Sequence, residues 1–125
     1  MGVYHHYYEL PVYKACRGFR RDVMKLVNNC FPEEEKYLLT KQIVKSSRSI
    51  TSNIAEGFGR FHYQENIQFC RQSRGSLTET MEHLVTGFDE GYITKEELEI
   101  KNQRYKKCLK ELNSYIRYLK EKKTE

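Results

Sequence analysis

Apolar residues in this chain recur at steps of three and four through four long stretches, and only three short breaks interrupt them. That period gathers side chains on one face of an α-helix, and the alternation that marks a strand persists nowhere. In the first stretch the stripe is Val12, Cys16, Phe19, Val23, Leu26 and Cys30. Pro11 stands ahead of it, in a first-turn position where a missing N–H costs nothing. Asn28-Asn29-Cys30-Phe31-Pro32 breaks the pattern. The second stretch opens on Glu33, Glu34 and Glu35, whose charge suits a helix N-terminus. Leu39, Ile43, Ile50 and Ile54 mark its stripe, Ser46 and Ser47 fill the gap, and Gly57-Phe58-Gly59 offers left-handed residues for the helix end. Ile67, Cys70, Arg74, Leu77, Met81, Leu84 and Phe88 form the third stripe, closed by Asp89-Glu90-Gly91-Tyr92. The fourth begins with a capping box, Thr94-Lys95-Glu96-Glu97. It continues through Leu98, Asn102, Tyr105, Leu109, Leu112, Ile116 and Leu119, and the tail from Lys120 to Glu125 is expected to fray. The spacing predicts helices over 11–29, 33–56, 63–88 and 94–120. Breaks of about 3–6 residues favour antiparallel neighbours, so the expected fold is all-α: an antiparallel up-down-up-down four-helix bundle spanning 1–125 as one domain.

With 38% apolar and 31% charged residues in 125, such a chain encloses one modest core beneath a highly charged surface. No run approaches the roughly 20 apolar residues of a membrane span. Residues 1–10 lack the basic start and apolar centre of a signal peptide, so a cytoplasmic location is expected. Cys16, Cys30, Cys70 and Cys108 form no C-x-x-C pair, and reduced thiols acting as small apolar residues suit them.

The motifs of catalysis are missing. Bundle interiors can hold two metals on Glu-x-x-His pairs, but the residue three before His83 is Thr80. His5–His6 is too short for a metal site, and His62 falls at a helix start. Glu79 and Glu82 read as a solvated face. Gly57-Phe58-Gly59-Arg60 lacks the third glycine of a dinucleotide loop and follows a helix. Neither a phosphate-loop lysine nor a serine or cysteine with a paired histidine is present. The expectation is a non-enzyme with no metal and no cofactor. One stripe position is charged: Arg74 stands among Leu and Met, and an unpaired buried charge is too costly to persist. Glu56, ending the second helix, is its expected buried partner; the alternative is that Arg74 snorkels outward along its stem.

Charge is distributed unevenly around the net +5. The first helix carries Lys14, Arg17, Arg21 and Lys25 at helical spacing, with Arg20 alongside. On the second, Lys41, Lys45 and Arg48 share a face, and on the fourth Lys106, Lys110, Arg117 and Lys120 do, with Lys107 and Arg104 beside them. Basic stripes are the footprint of a polyanion, although solubilising surface produces them as well. Val27, Leu38, Phe69 and Tyr115 lie off the stripes and point to self-association. Tyr37, Tyr63, Tyr92, Tyr115 and Tyr118 suit a protein interface or base stacking equally.

The run Ser49-Ile50-Thr51-Ser52-Asn53-Ile54-Ala55-Glu56-Gly57-Phe58-Gly59-Arg60 resembles the signature of the 23S rRNA intervening-sequence family of four-helix-bundle proteins. Arg74-Gly75-Ser76-Leu77-Thr78-Glu79, Asp89-Glu90-Gly91-Tyr92-Ile93 and the opening Leu10-Pro11-Val12-Tyr13-Lys14-Ala15 are similar to further signatures, with Tyr13 where the family more often has Trp. The resemblance covers nearly the whole chain. It implies a short bundle with no enzymatic activity, related to the accessory factors of diversity-generating retroelements. Those form pentameric rings with basic surfaces, for which binding to nucleic acid and to a reverse transcriptase is proposed. Two readings stand: a homopentamer that binds RNA or DNA through the ten stripe cations other than Lys120, and an oligomeric scaffold that binds another protein alone.

Overall fold

The computed structural model describes residues 4–124. Its four helices are α1 (Pro11–Cys30), α2 (Leu39–Phe58), α3 (Tyr63–Asp89) and α4 (Lys95–Lys123). A single 3₁₀ turn, Tyr7–Glu9, precedes α1, and another, Glu33–Glu35, precedes α2. Among the described residues α1 packs on α2 and α4, and α3 packs on the same two, while the α1/α3 and α2/α4 pairs make no close backbone approach. Side-chain links fix the directions. Ser46 meets Thr80 and Ser49 meets Ser76, both at 2.8 Å, so α2 and α3 run antiparallel. Arg104 reaches Asp22 at 2.8 Å, and the Cys108 thiol donates to the Ala15 carbonyl at 3.4 Å, which does the same for α4 against α1.

Buried residues follow the stripes. Val12, Cys16, Phe19, Val23, Ile43, Ile50, Ile54, Ile67, Leu77, Leu84, Leu112 and Leu119 are buried. Each fully buried aliphatic or aromatic side chain contributes about 1.5–3 kcal/mol. Between α2 and α3 the core is polar and narrow: Ser46, Ser47, Ser73 and Thr80 are buried, and the Ser73 hydroxyl donates to the Ile50 carbonyl at 2.6 Å. Gly57 lets the helices touch, because a Cβ there would lie 2.9 Å from Phe69 Cβ and 3.1 Å from the Asn66 carbonyl oxygen.

Four expectations are corrected. Glu33–Glu35 is a separate 3₁₀ turn, and α2 starts at Leu39. Leu38 (φ −118°, ψ −107°) breaks the helix, and the Glu35 carboxylate, which accepts the Tyr92 hydroxyl at 2.8 Å, also accepts the Leu39 N–H from outside at 3.4 Å. Gly57 and Gly59 are not left-handed: Gly59 has φ −76°. Among the described residues only Gly91 (φ +81°) is, where the Tyr92 N–H reaches the Gly87 carbonyl (2.9 Å) and the Gly91 N–H reaches that of Phe88 (3.0 Å), a Schellman ending of α3. Third, α4 does not fray at Lys120 but continues to Lys123, with Lys120, Lys122 and Lys123 favourably placed in its last turn.

The fourth concerns Arg74, which is not buried against Glu56. Its guanidinium donates to Asn113 Oδ1 on α4 at 2.8 Å, and Glu56 instead meets Arg60 at 3.1 Å. Register is the reason. The antiparallel links set Arg74 level with residues near Ile50, whereas Glu56 faces the first turns of α3. Ser73 takes the buried position that the stripe gave to Arg74. The capping box is present as expected, with the Glu97 N–H on Thr94 Oγ1 at 3.1 Å and the Thr94 N–H on Glu97 Oε1 at 2.8 Å. Those hydrogen bonds, led by the Thr94 backbone N–H, lower the Glu97 pKa.

Candidate nucleic-acid interface

On α1 the buried residues occupy one side, and Lys14, Arg17, Arg21 and Lys25 point the opposite way, fully outward. Lys41, Lys45 and Arg48 do the same on α2, and Lys106, Lys110 and Arg117 on α4. All ten are exposed, and none forms an ion pair among the described residues. By contrast, Arg60 is held by both Glu56 (3.1 Å) and Glu65 (3.7 Å), and Arg104 by Asp22. The ten do not make one surface. Because α2 and α4 are diagonal, their outer faces look away from each other. The fold therefore sets Arg48 of α2 across a groove from the α1 cations, turns Lys45 toward Glu79 and His83 on the α3 side, and sets Lys106, Lys110 and Arg117 apart.

Residues outside the sequence-derived set complete the groove. Arg20, half-buried on the α2 side of α1, donates from Nη1 to Thr51 Oγ1 at 2.6 Å. A hollow of about 570 Å³ is lined by Tyr7, Tyr13, Arg20, Arg48, Thr51 and Glu56 among others. A second, of about 490 Å³, is lined by Tyr8, Tyr13, Lys14 and Arg17, so Tyr13 is the wall between them. Tyr7 stands edge-on to Tyr13 with centroids 5.0 Å apart, and His6 stacks flat on Tyr8 at 5.0 Å. Tyr7 and Tyr8 lie ahead of α1, where helical period gives no guide, and only tertiary packing brings them to the cations.

The tyrosines singled out from sequence scatter. Tyr37 and Tyr63 are exposed, Tyr92 ties down Glu35, and Tyr115 is buried with its hydroxyl accepting from Asn66 Nδ2 at 3.3 Å. Val27 and Tyr115 belong to the core and are not spare surface; Phe69 lies under the Arg60 guanidinium at 4.9 Å. The most exposed large apolar side chains are Tyr37 (76%) with Leu38 (62%) at one end of α2, and Phe61 (91%) beyond the other; Tyr8, Ile100 and Tyr63 are exposed as well. A cleft of about 680 Å³ at the Phe61 end is lined by Tyr4, Phe58, Phe61, Tyr63, Tyr115 and Tyr118, with Arg60, His62 and Lys122.

All four cysteines are free, and Cys16, Cys70 and Cys108 are buried. Cys16 has its pKa pushed up by a hydrogen bond with Cys108 and by burial, and burial raises Cys70 to about 12. With raised pKa values, Cys16 and Cys70 are poor nucleophiles. Glu79 meets His83 at 3.2 Å on the α3 surface.

With an unpaired cationic face on α1 and tyrosines at its rim, the molecule falls in the class of small all-α four-helix bundles. The chain is a member of the 23S rRNA-intervening sequence protein family, whose sequence profile matches residues 8–114. Among solved structures it is similar to a protein of unknown function from the S23 ribosomal protein family of Bacteroides thetaiotaomicron VPI-5482. The two are 26% identical and superpose with a TM-score of 0.72, over 84% of this chain and 97% of the other. No curated protein matches the sequence. No helix among the described residues is long and apolar enough to cross a membrane.

Proposed function

We propose that this protein is a non-catalytic, homo-oligomeric accessory factor of the cytoplasm that binds RNA or DNA through backbone phosphates. The observation that carries the reading is the outer face of α1: Lys14, Arg17, Arg21 and Lys25, exposed and free of carboxylate partners, with Arg48 across the groove. Ordinary solubilising surface interleaves its cations with acids, and α1 carries Asp22 alone, already held by Arg104. Evenly spaced cations on a straight helix suit phosphates. Nothing here places a helix in a groove, so sequence preference is weak. Affinity per subunit is about micromolar or weaker at physiological salt. A ring repeats the face and raises avidity with no new type of contact. Two unlike apolar patches at opposite ends of α2, Tyr37–Leu38 and Phe61, suit head-to-tail contacts that close into rings. The pentamer is the closed form implied by the family resemblance. Lys106, Lys110 and Arg117 then serve a second, separate face. Reversing charge with Arg17→Glu and Arg21→Glu together weakens binding to every nucleic acid tried at low salt. If the intact oligomer binds none, the scaffold reading replaces this one, with a protein such as a reverse transcriptase as the partner that the resemblance implies.

A further inference from the structure

We infer that the groove between α1 and α2 seats single-stranded nucleic acid, with unpaired bases entering the two hollows on either side of Tyr13. The inference rests on the nucleic-acid reading above and goes beyond it by naming the form of strand. A duplex offers its phosphates and hides the faces of its bases, so it engages the rim cations and leaves the aromatic hollows idle. A single strand offers both, and proteins that bind one interleave cations with aromatic platforms. That interleaving is present in the groove and in the adjoining hollow at the start of α1. Lys14 and Arg17 flank Tyr8 and Tyr13 in one hollow, and Arg20 and Arg48 flank Tyr7 and Tyr13 in the other.

Three details favour a flexible strand. Arg20 is half-buried and pinned by Thr51 at 2.6 Å, so its charge lies low in the groove, out of reach of phosphates on a stiff duplex. His6 lies flat on Tyr8, with planes 6° apart, which is the stacking a base would adopt on that ring. The one carboxylate lining the hollows, Glu56, is occupied by Arg60 at 3.1 Å and leaves the cations to the phosphates. The larger cleft near Phe61 has more rings, but its Arg60 is shared between Glu56 and Glu65, so its field for an anion is weaker.

The test is fluorescence anisotropy at low salt with a labelled oligothymidylate of about 16 nucleotides and a mixed-sequence duplex of equal length. Tyr8 is 53% exposed and Tyr7 37%, so both can be truncated with the fold checked by circular dichroism. The single strand binds more tightly than the duplex. Tyr7→Ala and Tyr8→Ala each weaken single-strand binding by about tenfold and leave duplex binding unchanged, and Tyr8→Phe retains it. Equal or tighter duplex binding, with both alanine variants silent, overturns the inference. The phosphate reading survives that result if Arg17→Glu with Arg21→Glu still weakens binding, and both readings fall if neither nucleic acid binds.

Discussion

Gly57→Ala tests how closely α2 and α3 approach. In an open helix, replacing glycine by alanine stabilises by roughly 0.5–1 kcal/mol, because alanine loses less backbone freedom on folding. At Gly57 the new methyl would lie 2.6 Å from Asn66 Oδ1, 2.9 Å from Phe69 Cβ and 3.1 Å from the Asn66 carbonyl oxygen. The last two atoms are fixed to the α3 backbone and cannot swing aside. Moving Asn66 also strains its 3.3 Å hydrogen bond to Tyr115, which ties α3 to α4. Overpacking of this kind costs about 1–3 kcal/mol, so the net effect is a loss of about 0.5–2 kcal/mol. Gly75, in the same bundle, has no atom within 4 Å of an added Cβ. Gly75→Ala should gain the full helix benefit of about 0.5–1 kcal/mol. Thermal denaturation at one fixed protein concentration separates the two variants, at roughly 4 °C per kcal/mol for a chain of this size. Gly57 should melt below wild type when substituted, and Gly75 above it. Equal stabilisation by both variants would refute the close approach of α2 and α3.

Arg74→Ala should cost about 1 kcal/mol or less in urea denaturation, the scale of an exposed hydrogen bond to Asn113; a loss of 3 kcal/mol or more would restore a buried ion pair. The Tyr92 hydroxyl is pushed up to about 12, first by its hydrogen bond to Glu35, so its contribution is complete below the ordinary tyrosine pKa near 10 and fades as pH rises toward 12. The stability gap between wild type and Tyr92→Phe should therefore narrow above pH 10, and a gap constant with pH would contradict it. In the native protein an aromatic disulfide reagent should modify Cys30 first, since Cys16, Cys70 and Cys108 are buried, and all four should react once unfolded. Fast modification of two or more native thiols would show that the core opens readily.

Stripe period located the four helices because each buries one continuous face, and the stop signal at Gly91 and the capping box at Thr94 are local chemistry that needs no tertiary context. Where the reading failed, the deciding information lay between helices. Arg74 sits at a helical step that fits the stripe, yet the α2–α3 register turns Ser73 inward in its place, and period alone cannot separate adjacent positions at the edge of a face. Small polar residues such as Ser46 and Thr80 are buried because the two backbones come close, a distance that the sequence hints at only through Gly57. The cations were legible one helix at a time. That α2 and α4 are diagonal, and that Tyr7 and Tyr8 reach the groove, follows from assembly of the bundle.

The most direct test of the α1 face is the salt dependence of binding to single-stranded nucleic acid, measured for wild type and for the protein carrying both Arg17→Glu and Arg21→Glu. Each phosphate contact adds about −0.7 to the slope of log affinity against log salt for a single strand. Loss of two contacts should make the slope shallower by about 1.4, with weaker binding at every salt concentration. An unchanged slope and affinity would show that phosphates are not held by the outer face of α1.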